Sequence, residues 1–108
     1  MAISRNLDTI KAAILRNSFV DSVRIDMRID DDAYEELCAL LRDLAKELKG
    51  VRLIDKELAL ALYSIPLMVR NAFVSFDSHP DPKPSVCLRL EDQWVDLDAL
   101  VTDCLADD

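Results

Sequence analysis

The sequence predicts an α+β domain that is predominantly helical, with about four helices and a small two-strand β element near residues 22–29 and 86–91. Three observations lead there. Apolar residues recur at steps of three and four through four segments, which is the spacing of one helical face. Two shorter segments alternate apolar and polar residues strictly, the spacing of a half-buried strand. Acidic residues precede the helical segments and basic residues or glycine follow them, as helix dipoles and caps favour.

Ile3, Leu7, Ile10 and Ile14 share a face and place a first helix at about 5–17, with Ser4 or Asn6 as its cap. In "SVRIDMRIDD", Val23, Ile25, Met27 and Ile29 alternate with Arg24, Asp26, Arg28 and Asp30, which predicts the first strand. Asp30, Asp31 and Asp32 then open a helix whose apolar stripe is Tyr34, Leu37, Leu41, Leu44 and Leu48. Lys46 and Lys49 crowd its far end, and Gly50, the only glycine, falls where a left-handed residue is wanted. Asp55 caps a long segment, "KELALALYSIPLMVRNAFVSF", apolar nearly all round and so central to the core. Pro66 within it predicts a kink, or a break near Ser64, because proline has no N–H for the Leu62 carbonyl.

"DSHPDPKPS" reads as a stiff loop. Val86, Leu88 and Leu90 alternate with Cys87, Arg89 and Glu91 as the second strand, continued by "WV" past a turn at Asp92-Gln93. Asp96 then caps a final helix that buries Leu97, Leu100, Val101, Cys104 and Leu105. Two strands alone are marginal. They pair over the helices or are completed by another chain, and an all-α bundle is the alternative because both strands are short.

At 108 residues the chain is expected to form one domain over 1–108, close to the commonest domain size. The first residues carry no continuous apolar run of the signal-peptide kind, which predicts a cytoplasmic protein. The apolar stretch Leu58–Val69 is shorter than the ~20 residues of a bilayer span, so no membrane association is expected. A formal charge of −8 repels phosphate backbones and anionic headgroups, which argues against nucleic acid as a partner.

Residue chemistry points away from catalysis. His79 is the only histidine, and its neighbours Asp77 and Ser78 are adjacent in sequence without the geometry a hydrolytic triad needs. A single glycine rules out the loops whose backbone amides cradle phosphates, so no nucleotide cofactor is expected. Cys38, Cys87 and Cys104 are far apart and form no C-x-x-C pair, so they read as reduced structural thiols and not as metal ligands. The acidic groups Asp30-Asp31-Asp32 and Glu91 to Asp98 suit helix capping better than magnesium or calcium, since no calcium-loop spacing is present. The reading is a non-enzyme without cofactor or metal.

Charge asymmetry suggests where a partner binds. Residues 86–108 hold one base, Arg89, against seven acids, and so carry six of the eight net negative charges. Asp96 and Asp98 are explained as helix-start residues, but Glu91, Asp92, Asp103, Asp107 and Asp108 exceed what capping requires. With Trp94, a residue type enriched among interface anchors, the set Glu91, Asp92, Trp94, Asp96, Asp98, Asp103 and Asp107 is the candidate surface for a basic protein partner. In size and charge the chain is similar to immunity proteins and antitoxins, small acidic inhibitors of basic toxins. That likeness is one of composition and carries no residue across. The expected function is inhibition of a basic protein by charge-complementary occlusion. Alternatives are a homodimeric adaptor or chaperone-like domain completed by a second copy through its long apolar helix, and a regulatory domain holding a small apolar ligand.

Overall fold

The computed structural model describes residues 7–26, 28–77 and 84–106, which form five helices and no strand. These are α1 (Leu7–Arg16), α2 (Phe19–Asp26), α3 (Asp31–Glu47), α4 (Lys56–Asp77) and α5 (Pro84–Leu105). The fold is an all-helical bundle, and the expectation of an α+β domain with strands near 22–29 and 86–91 is overturned.

Residues 22–26 of the first strand segment and all of the second are helical, for identifiable reasons. At about 100° per residue, alternating positions point in different directions on a helix. Val23 is accordingly buried while Ile25 is 73% exposed, although the alternation had put them on one face. The burial pattern that matters begins earlier, with Phe19, Ser22 and Val23. Asn17 starts this helix: its Oδ1 accepts from the Phe19 N–H at 2.9 Å, and its Nδ2 donates to the Ala33 carbonyl of α3 at 2.9 Å.

The second alternating run lies inside the 22-residue helix α5. Pro84 is its first residue, where a missing N–H costs no hydrogen bond. Leu90 is buried but Leu88 is 65% exposed, so the two do not share a face. Asp96, expected as a cap, therefore sits mid-helix, and no turn interrupts Asp92-Gln93.

Other elements follow their local signals. Asp30 Oδ1 accepts from the Ala33 N–H at 3.1 Å and caps α3. Gly50 takes a φ of 80° just past the end of that helix. Asp55 Oδ1 accepts from the Leu58 N–H at 2.8 Å and caps α4. That backbone hydrogen bond, with Lys11 nearby, holds the Asp55 carboxyl below its ordinary range. Lys11 in turn bridges Asp55 at 3.2 Å and Glu57 at 2.8 Å, tying α1 to the start of α4. The predicted break near Ser64 does not occur: α4 is continuous from Lys56 to Asp77 with Pro66 inside it. Burial of its inner face, Leu58, Leu62, Ile65, Val69 and Ala72, holds the helix across the proline. Each fully buried leucine contributes about 1.5–3 kcal/mol relative to exposure.

One core joins all five helices. Ile10 and Ile14 of α1, Phe19 and Val23 of α2, Leu37, Leu41 and Leu44 of α3, the inner face of α4, and Leu90, Leu97 and Val101 of α5 form a single buried cluster. Helix α5 turns back along α4 and runs in the same direction as α3. Arg89 pairs with Asp31 near the start of both helices, and the Cys104 thiol meets the Leu41 carbonyl at 3.3 Å further along. This parallel seam positions the candidate site. Over Lys56–Ser75, α4 is also long and apolar enough to cross a membrane, with 33% of that stretch buried in the bundle.

A candidate protein-binding groove between α3 and α5

The acidic residues of α5 divide between two lines. Asp92, Asp96 and Asp103 recur at steps of four and seven along one side, and Glu91 and Asp98 are seven apart on another. The lines are about 130° apart around the helix. All five carboxylates are exposed. Asp107 lies outside the described residues.

The first line faces α3. Asp96 and Asp103, with Ala99 and Leu100, form one wall of a groove of about 660 Å³, and Tyr34, Glu35, Cys38 and Arg42 of α3 form the other. Three carboxylates from two helices thus flank one guanidinium. Half-buried Tyr34 and Leu100 give it an apolar floor. Glu35 and the α3 side of the groove could not be found from the charge pattern, because they are near Asp96 only in three dimensions.

Tyr34 is held on both sides. Its ring lies 5.1 Å from that of Phe19, tilted by 54°. Its hydroxyl shares a hydrogen bond with Cys38 and faces Asp96, and burial pushes its pKa up. Burial also raises the Cys38 thiol, and this outweighs the Tyr34 hydrogen bond and the Arg42 charge that act the other way. A nucleophilic cysteine needs the opposite shift. Cys104 is buried as well, its thiol pushed up to about 11. The Cys87 side chain lies outside the described set, as do Ser78 and His79.

Trp94 does not belong to the groove. It is half-buried on the α4 side of α5 and packs against the core, with the Arg70 guanidinium carbon 5.8 Å from its ring centroid. Its Nε1 is sealed from solvent without a hydrogen-bond partner, and so is Oε1 of the neighbouring Gln93, a buried polar residue that the sequence reading did not single out. Asp31 of the acidic triplet pairs with Arg89, the only base of the C-terminal segment, and Asp30 serves as a cap. No three histidine, cysteine or carboxylate side chains converge as metal ligands among the described residues. A smaller hollow of about 170 Å³ beside Leu15, Val20 and Ile65 falls below the usual size of a small-molecule site.

No protein-family model matches the chain, and no characterised protein or solved structure matches it either.

Proposed function

We propose that this chain is a protein-binding domain that receives a basic segment of a partner in the α3–α5 groove, occluding that segment without chemistry of its own. The reading rests on one observation: Glu35, Asp96 and Asp103 converge from two helices on a cavity with an apolar floor. A lysine or arginine entering there meets carboxylates for its charge and the Tyr34 ring for its stem or face. Long-range attraction by a chain of net charge −8 adds steering toward a basic partner. Inhibition of a basic toxin-like protein is one use of such a groove.

The acidic surface is therefore narrower than the seven residues singled out by sequence. Asp96 and Asp103 line the groove and Asp92 follows the same side of α5, whereas Glu91, Asp98 and Trp94 do not line it. The test compares two variants in binding a fluorescent, helix-forming lysine/arginine peptide. The triple variant Glu35→Gln, Asp96→Asn, Asp103→Asn is expected to slow association at least ~10-fold at low salt, because steering by several charges is lost together. The double variant Glu91→Gln, Asp98→Asn is expected to change it less than ~3-fold, since single rim charges act weakly. Equal losses in both would show nonspecific attraction to an acidic surface and sink the groove.

A further inference from the structure

We infer that the outward face of α4 is the contact between two copies of this chain, joined antiparallel about a two-fold axis. This does not rest on the groove, which lies on the other side of α5. The face opposite the buried side of α4 carries Leu60, Tyr63, Leu67, Arg70 and Val74, spaced three, four, three and four, the spacing of a coiled-coil seam. Leu60 is 64% exposed, Tyr63 66% and Val74 48%, and no helix of the bundle covers them.

The order of residues along this seam is complementary to itself when reversed. An axis near Leu67 sets Leu60 of one copy at the level of Val74 of the other, and Tyr63 at the level of Arg70. Apolar meets apolar at both ends of the seam, and between them Tyr63 meets Arg70, whose guanidinium stacks on Trp94 of its own chain. A two-fold interface requires this property, because one patch must fit its own image.

Charge selects the same occupant. Between Leu58 and Phe76 the only ionised side chain is Arg70, so the face lacks carboxylates in a chain of net charge −8. Two acidic copies repel least when they meet there. A basic partner, by contrast, finds nothing on this face to attract it. Leu60 to Val74 covers about 21 Å of helix. A standard interface takes about 800 Å² from each partner.

Sedimentation velocity of the full chain over a range of concentrations tests the inference, at low and high salt. Wild type is expected to be a dimer that persists at high salt, because the contact is apolar and screening relieves the repulsion between copies. Leu60→Asp and Tyr63→Asp are each expected to weaken dimerisation at least ~10-fold while circular dichroism shows unchanged helix content; Tyr63→Phe keeps the dimer. Should an aspartate variant unfold, Leu60→Ser and Tyr63→Ser provide the same comparison. A wild-type monomer at every concentration overturns the inference, and so does a dimer indifferent to the aspartate and serine substitutions. A monomer that floats with neutral phospholipid vesicles also overturns it, in favour of a bilayer against α4.

Discussion

Gln93 and Trp94 put two polar atoms into the interior with no partner, Oε1 of one and Nε1 of the other. An unmet buried acceptor costs on the order of 1–3 kcal/mol. The Gln93→Met substitution keeps the shape of the side chain and removes that acceptor. Chemical denaturation is expected to show a gain of about 1 kcal/mol, and a loss would mean that Gln93 has a hydrogen-bond partner in solution. The tryptophan is a different case, because Arg70 lies over its ring and leaves the indole N–H turned inward. Sequence alone made Trp94 a candidate interface anchor, its polar neighbours suggesting an edge of the fold without deciding whether the ring is buried. Those neighbours occupy other sides of the same helix, which an unbroken α5 makes plain.

Helices α3 and α4 were legible because their punctuation is local. Asp30, Gly50 and Asp55 act within a few residues of themselves, and the leucines between them recur with one period over four turns. Helix α2 was misread because its last four residues, Val23 to Asp26, belong by accident to an alternating run that continues to Asp30, while its real start signal, Asn17, works through α3. Besides the Ala33 carbonyl, the Asn17 amide reaches Glu36 Oε1 at 3.3 Å. Replacing Asn17 by alanine removes the cap of α2 and its tie to α3 together. The expected loss is about 2 kcal/mol, the upper end of a cap deletion, measured by urea unfolding. Asn17→Asp retains the acceptor for the Phe19 N–H but loses the donors and faces Glu36. It is expected to fall between alanine and wild type, and a value equal to wild type would show that the tie to α3 contributes nothing. Nor was the groove legible, since its walls come from α3 and α5.

Across the whole molecule, alkaline stability follows from the buried thiols. Cys104 titrates at about 11 in the folded chain and Cys38 is raised as well, whereas an unperturbed thiol titrates near ~8.5. Their contribution is complete below the unfolded value and is lost as pH rises through the folded one, because the unfolded chain gives up its protons first. The melting temperature is therefore expected to hold to about pH 8.5 and to fall toward pH 11, with a smaller fall in Cys104→Ala. An identical decline in that variant would assign the effect to other groups.

The parallel seam of α3 and α5 also bears on how the molecule assembles. Its two ties, Arg89 to Asp31 and Cys104 to Leu41, join residues 58 and 63 positions apart, with all of α4 lying between them. Contacts of such long range demand that a large loop close before they return any stabilisation, so they form late in folding. The groove is consequently a sensor of the finished bundle: a chain with α3 and α4 formed but α5 undocked has no such cavity. A ligand held there selects the fully folded chain, and amide hydrogen exchange in α5 should slow in proportion to its occupancy.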